Sequence, residues 1–291
     1  MTVAAPTRIG TRTFAWGSRT FVMGIVNVTP DSFSGDGLFV GEAAPIEAAV
    51  TQARAMVADG ADILDVGGES TRPGHAPVDE TEELRRVVPV ITAIRDALPD
   101  MPISVDTTKP AVADAALDAG ADLINDIWGV APDNAQMRLA AQRRAPIVLM
   151  HNRAEPVYRD LIPEVLDDLR AATDRALAAG VVEDAIIVDP GFGFGKTPEH
   201  NLALLRNLAE FGRLGRPVLL GTSRKSTLGR VLDLSPEERL EATIATTALA
   251  AAAGVDIVRV HDVRPNARAA RMVDAVWRAP AAEPGSEGGQ P

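Results

Sequence analysis

MPISVDTTKPAVADAALDAGADLINDI, residues 101–127, sets the rhythm that decides the fold. A short apolar run from Ile103 to Val105 breaks at Asp106. A polar turn leads into a segment of helical period, Ala111 to Ala119. Gly120 then stops that segment before a second short apolar run, Asp122 to Ile124. Glycine just past a helix tolerates the left-handed conformation that ends it. The same junction recurs as DGAD at 59–62 and AGVD at 253–256, each time before another apolar run.

Working outward from this unit, strands are expected at Phe21 to Val26, Asp62 to Val66, Ile103 to Val105, Asp122 to Ile124, Ile147 to Met150, Ala185 to Val188, Val218 to Leu220 and Asp256 to Val260. Helical periods fill the spaces between them, at 44–58, 80–97, 111–119, 133–143, 162–179, 199–211, 237–253 and 266–278. Strands that are apolar throughout belong to a parallel sheet covered by helices. About eight strand–helix units in one chain of this length give α/β class, a single (β/α)8 TIM barrel spanning 13–278. A doubly wound open sheet is the alternative. Thr13 to Trp16 with Gly17-Ser18 read as a small β-hairpin leading into Phe21 and plugging the bottom of the barrel. Residues 1–12 and the Pro/Gly/Glu-rich tail 279–291 lack the apolar content to pack and are expected to be disordered.

The 291-residue chain carries 40 acidic and 29 basic side chains, a net charge of −11, with only seven Phe, three Trp and one Tyr. Polyanions need a basic footprint and single strands need stacking platforms, so neither nucleic acid nor an anionic membrane is an expected partner. There is no cysteine, which excludes disulfides, thiolate nucleophiles and zinc–thiolate or iron–sulfur sites. No run approaches the apolar length of a membrane span, and the first twenty residues have no signal-peptide core, so a cytoplasmic location is expected.

Each strand ends, at its C-terminal side, in a polar or charged residue: Asn27, Asp65, Asp106, Asn125, His151, Asp189, Ser223-Arg224-Lys225, and Arg259 with His261. In a barrel these positions converge on the rim that carries the chemistry. A single Asp or Asn there is as readily a turn former or helix cap, and His151 reads more simply as a satisfied structural group. All eight together define a lined pocket. Asp106, Asn125 and Asp189 are acceptors suited to a flat heterocycle presenting N–H donors. Arg72, Arg259 and His261, with Lys225 nearby, suit a phosphate or diphosphate. The stretch GFGFGKT at 191–197 does not complete a phosphate-binding loop, because Pro190 stands where the first glycine is required. It reads as a glycine loop over the rim, with Phe192 and Phe194 as apolar walls. No acidic or histidine cluster has the spacing of a protein-built metal cage, so a metal is expected to arrive with substrate phosphate. Mg²⁺ fits that description, with Asn27 as a neutral oxygen ligand.

Together these segments resemble the dihydropteroate synthase family. MGIVNVTPDSFSGDG (23–37), DILDVGGESTRPG (62–74), ISVDTTKP (103–110), LINDI (123–127), VLMH (148–151), VDPGFGFGKTPEHN (188–201), LLGTSRKSTLG (219–229) and VRVHDV (258–263) follow the family's order. NVTPDSFS, GGESTRPG and SRKS carry most of the specificity. The resemblance implies an alkyl-transferring enzyme of folate biosynthesis. It would condense a 6-hydroxymethyl-7,8-dihydropterin diphosphate with para-aminobenzoate, use Mg²⁺, act as a homodimer through the barrel helices, and be a target of sulfonamides, which mimic aminobenzoate.

The resemblance further implies that Asp106, Asn125, Met150, Asp189 and Lys225 hold the pterin. It assigns Asn27, Thr71, Arg72, Arg259 and His261 to the diphosphate and its metal, and Phe33, Thr71, Pro73, Phe194 and Ser226 to aminobenzoate. Asp106, Lys225 and Arg259 are the catalytic expectations, in a dissociative substitution where diphosphate leaves before the amine attacks. The first loop reads SGDG where the family often has SDGG, and NRAEPVYRD after His151 is shorter than usual. A corrinoid-dependent methyltransferase sharing the pterin barrel, or a non-catalytic pterin-binding paralogue, are the rival readings. The retained ESTRPG and SRK segments argue against both.

Overall fold

The computed structural model describes residues 4–28, 43–69 and 78–278. Two short strands, β1 (Thr7–Ile9) and β2 (Arg12–Phe14), pair as an antiparallel hairpin about Gly10 and Thr11. Eight parallel strands follow: β3 (Phe21–Asn27), β4 (Ile63–Gly67), β5 (Ile103–Asp106), β6 (Leu123–Asp126), β7 (Ile147–Met150), β8 (Ile186–Asp189), β9 (Leu219–Leu220) and β10 (Ile257–Val260). Their order is β8-β7-β6-β5-β4-β3-β10-β9. A parallel bridge between Val188 and Val218 brings the two ends together, so the sheet closes as a barrel rather than lying open.

Helices α1 (Ala43–Ala58), α2 (Glu80–Ala97), α3 (Pro110–Asp118), α4 (Ala135–Arg143), α5 (Leu161–Ala178), α6 (Pro198–Arg206), α7 (Leu208–Phe211), α8 (Ser226–Leu232), α9 (Leu240–Ala252) and α10 (Val263–Trp277) surround it. The helix expected over 199–211 is interrupted at Asn207, whose backbone (φ −115°, ψ 21°) is not helical. The start expected at 237 is a 3-10 turn, Pro236–Glu238, with α9 beginning at Leu240. Helix α8 follows the SRK segment and was not foreseen, because seven residues are too few to establish a period.

Strand parity divides the core in two. Val22, Val26, Leu64, Val66, Ile103, Val105, Ile124, Leu149 and Val188 face outward and pack under the helices. Their neighbours Phe21, Met23, Ile63, Leu123, Val148, Ile187, Leu219 and Ile257 face the barrel axis. Ile9, Phe14 and Trp16 of the N-terminal segment join this inner cluster, with Phe14, Trp16 and Phe21 in mutual ring contact at 5.0–5.4 Å. The hairpin thus plugs the N-terminal mouth as expected, but it lies at 7–14 rather than 13–18. The boundary of the unstructured N-terminus at residue 12 is corrected accordingly, because alternation at Thr7 and Ile9 buries both side chains. The tail 279–291 lies outside the described residues.

The recurrent Gly-x-Asp junctions do more than end helices. Gly60, Gly120 and Gly254 have φ of +104°, +111° and +86°, as a glycine stop requires. The acid two residues later then accepts a backbone N–H at the start of the neighbouring strand: Asp62 from Val22 at 2.9 Å, Asp122 from Ile103 at 3.0 Å, and Asp256 from Val218 at 2.9 Å. Each carboxylate satisfies a donor that the ladder has not yet taken up, which sets the register of adjacent strands at the bottom of the barrel.

Candidate active site

At the opposite rim the inward positions turn polar. Register places Gly67 beside Asp106, Asp106 beside Asn125, and Met150 beside Asp189, so these side chains line one continuous wall on β5 to β8. Asn27 ends β3, whose other neighbour β10 carries Arg259. Asp106, Asn125, Met150 and Asp189 are each no more than 5% exposed. Phe33, Thr71, Arg72 and Pro73 lie outside the described residues.

The expected separation into an acidic and a cationic half gives way to an interlocked arrangement. Arg259 extends across the barrel, its Nε 2.6 Å from Asp65 Oδ2 and its Nη2 2.6 Å from Asp106 Oδ2. Asn125 Nδ2 donates to the same Asp65 oxygen at 3.1 Å. The reason is reach: only β3 separates β10 from β4, and the long guanidinium spans to the carboxylates on β4 and β5. Burial lifts the Asp106 carboxyl to about 7, against the stabilising charge of Arg259 and with the repulsion of Asp65. Burial also opposes the charge on Arg259, yet Asp65 and Asp106 together hold its pKa above the ordinary guanidinium value. Among the described residues Asp65 Oδ1 and Asp106 Oδ1 are buried acceptors without a hydrogen-bond partner.

Asp65, completely buried, is the residue whose role sequence reasoning missed. Its signal was parity: it lies two positions from Ile63 and from Gly67, and therefore points inward. It acts by fixing Arg259 and Asn125.

The second constellation centres on Asp189 and Lys225. Asp189 Oδ1 accepts from Gly191 N at 2.6 Å, and burial raises its pKa, with Lys225 pulling the other way. Burial lowers the Lys225 ammonium to about 7 against the attraction of Asp189. Lys225 donates to the Phe192 carbonyl and lies 4.3 Å from the Phe194 ring centroid, a cation–π contact. Ser226, which opens α8, follows it directly. Arg224 adopts a left-handed φ of +56° and is clamped by Asp262 at 2.7 and 3.0 Å, so the loops bearing Lys225 and His261 are tied together. Ser223 Oγ meets both the His261 backbone N (3.1 Å) and Nδ1 (2.9 Å). His151 is fully buried between Lys196 and Asp168, in keeping with a structural role.

Comparison with known proteins agrees with this geometry. The family model described as "Pterin binding enzyme" matches residues 23–261. The dihydropteroate synthase of Clostridium beijerinckii is 50% identical over 272 residues, covering 93% of this chain and 99% of that protein. That of Bacillus subtilis is 54% identical over 258 residues, 89% of each. Among solved structures, the Xanthomonas albilineans dihydropteroate synthase in complex with 7,8-dihydropteroate superposes with a TM-score of 0.85 at 40% identity, over 95% of this chain and all of that one. The chain belongs to the pterin-binding enzyme family. Within it, the full-length agreement is with the dihydropteroate synthases.

Proposed function

We propose that this protein joins 6-hydroxymethyl-7,8-dihydropterin diphosphate to para-aminobenzoate, giving 7,8-dihydropteroate and diphosphate. The observation that carries the reading is the buried Asp65–Arg259–Asp106 network beside Asp189 and Lys225, on a barrel rim shared with proteins of that activity. Asp106, Asn125 and Asp189 would accept from the pterin's amide and amino edge, Met150 would pack against its ring, and Lys225 would donate to it. Arg259 has five N–H donors, of which two serve Asp65 and Asp106; the others, with His261, Asn27, Thr71 and Arg72, would take the diphosphate oxygens. Phe33, Thr71, Pro73, Phe194 and Ser226 would line the aminobenzoate side.

The donors of Arg259 and His261 stabilise charge growing on the departing diphosphate, and such preorganised electrostatics contribute several kcal/mol. As the C–O bond breaks, the pterin methylene becomes cationic, and the carboxylates of Asp106 and Asp189 favour it. The neutral arylamine then forms the C–N bond and loses its proton to solvent. No residue serves as a nucleophile.

Among the described residues no group of three or more His, Asp or Glu could hold a metal by itself. The donors present fit an Mg²⁺ that comes with the diphosphate, held by Asn27 and substrate oxygens. When bound it would neutralise leaving-group charge. No helix among the described residues is long and apolar enough to cross a membrane. A homodimer, which the family resemblance implies, would use the face of α9 and α10, where Leu249, Met272, Val276 and Trp277 are 54–69% exposed.

Diphosphate release on mixing the protein with both substrates and Mg²⁺ tests the reading. Formation of 7,8-dihydropteroate should require aminobenzoate, and Asp106→Asn should lower kcat at least tenfold while diphosphate still binds. Tight pterin binding without release would make the protein a binding paralogue instead.

A further inference from the structure

The proposed reaction leaves one cluster around a buried histidine unused: His151 with Lys196, Asp168 and Arg153, behind the glycine loop. Lys196 turns back beneath its own loop, with Nζ 3.0 Å from the Phe194 carbonyl and 2.9 Å from His151 Nδ1. An ammonium only donates, so Nδ1 is the acceptor and the imidazole carries its proton on Nε2, which faces Asp168 Oδ2 at 3.1 Å. The imidazole is fully buried, and burial with the charge of Lys196 holds it neutral, its pKa brought down to about 3. Arg153 grips the same Asp168 oxygen at 2.8 and 3.2 Å and Glu164 at 2.8 Å, which anchors the chain of contacts to α5.

The loop itself has no regular structure to hold it. Gly191, Gly193 and Gly195 all have positive φ, and two of them touch the segment after β7. A Cβ on Gly191 would stand 1.8 Å from the His151 carbonyl oxygen, and one on Gly195 would stand 2.3 Å from that of Arg153. Tyr158 Oη donates to the Gly195 carbonyl at 2.8 Å. This inner surface has a reactive outer one. Gly191 N–H orients Asp189, the Phe192 carbonyl receives Lys225, and the Phe194 ring lies against that ammonium. Lys196 bonds to the loop from inside and to the histidine behind it, beside Tyr158, whose ring lies 6.1 Å from the same imidazole.

We propose that Lys196 is a positioning residue for the pterin site: through Phe194 O, His151 and Asp168 it holds the 190–196 loop in the form that aims Asp189 and Lys225 at the substrate ring. The inference rests on the reading of the site as a pterin site. Burial lowers the Lys196 ammonium to about 7 against the attraction of Asp189, with Lys225 and Arg153 repelling it.

The test is Lys196→Met, with ligand binding measured separately on the two sides of the site by calorimetry. The dissociation constant for 6-hydroxymethylpterin, the ring without its phosphates, should rise at least tenfold, while that for inorganic diphosphate with Mg²⁺ stays within twofold. In steady state the loss should fall on KM for the pterin substrate more than on kcat. Asp168→Asn, partly exposed and remote from substrate, should reproduce the shift at about threefold, and adding it to Lys196→Met should produce no further loss. If Lys196→Met folds poorly, Asp168→Asn alone carries the measurement. Unchanged pterin affinity, or equal losses for pterin and diphosphate, would overturn the positioning role while leaving the function intact. If the unaltered protein bound no pterin, both would fall together.

Discussion

Asp65 illustrates what a single buried carboxylate does in this barrel. With one oxygen it holds Arg259 at 2.6 Å and Asn125 at 3.1 Å. Removing one partner of a buried ionic network costs far more than an exposed pair contributes, because the remaining charge is left to reorganise. Asp65→Asn should therefore lower kcat/KM for the pterin diphosphate tenfold or more, which is at least about 1.4 kcal/mol of transition-state stabilisation. Wild-type kinetics in a diphosphate-release assay would refute that linkage.

Lys225 makes a pH prediction. Its folded pKa, about 7, lies below the ordinary lysine value of 10.5, so between these limits the unfolded chain binds a proton that the folded chain does not. Stability contributed through this group therefore rises with pH from 7 towards 10.5, by up to about 1.4 kcal/mol per pH unit. In Lys225→Met that rise should be missing. Thermal melts of the two proteins from pH 7 to 10 should show the variant's relative stability falling as pH increases, and parallel curves would place the ammonium in solvent. The strand-end residues were legible in the sequence because a polar residue after an apolar run is a local signal. Their pairing was not: nothing local to Arg259 tells that it crosses to Asp65 and Asp106, nearly two hundred and about a hundred and fifty positions away along the chain.

At the scale of the element, the eight strands were readable because each is a short, mainly apolar run bounded by glycine or polar turns. Their ends shifted by a residue or two where pairing, rather than composition, decides the boundary. The hairpin was displaced from 13–18 to 7–14 because Thr7, Ile9 and Phe14 are buried by the barrel mouth, a tertiary contact that a three-residue strand cannot announce. The Gly-x-Asp junction shows the converse, a local motif with a nonlocal use. Its acid was read only as punctuation, yet Asp122 accepts from Ile103 N and from Arg95, whose Nη2 lies 2.5 Å away. Asp122→Ala should leave a strand-initiating N–H without its acceptor and Arg95 with only the Pro99, Met101 and Gly120 carbonyls. The expected loss is about 1–3 kcal/mol in denaturant unfolding, with kcat unchanged because the site lies at the other end of the barrel. A loss of turnover larger than the loss of folded protein would show instead that the two ends are coupled.

For the whole molecule, closure of the sheet gives all eight C-terminal strand ends one shared rim, while the hairpin fills the opposite mouth with Ile9, Phe14 and Trp16. The net charge of −11 does not describe the rim, where Arg259 and Lys225 stand among the buried carboxylates of Asp65, Asp106 and Asp189. The outer surface is less evenly resolved into polar and apolar than the core. Helices α9 and α10 pack on each other and still leave Leu249, Met272, Val276 and Trp277 largely exposed, with Met272 and Val276 one turn apart on α10. Scattered exposed apolar residues are ordinary, but four large ones on two adjoining helices make this face the candidate for a symmetric partner, since a twofold axis presents the same face from both copies. The double substitution Met272→Glu and Trp277→Glu introduces four like charges across such an interface. The unaltered protein should sediment as a dimer and the double variant as a monomer, with its far-ultraviolet circular dichroism retained because neither side chain belongs to the core. A variant that remains dimeric would move the interface to another helix pair, and a wild-type monomer would leave this face without a partner copy.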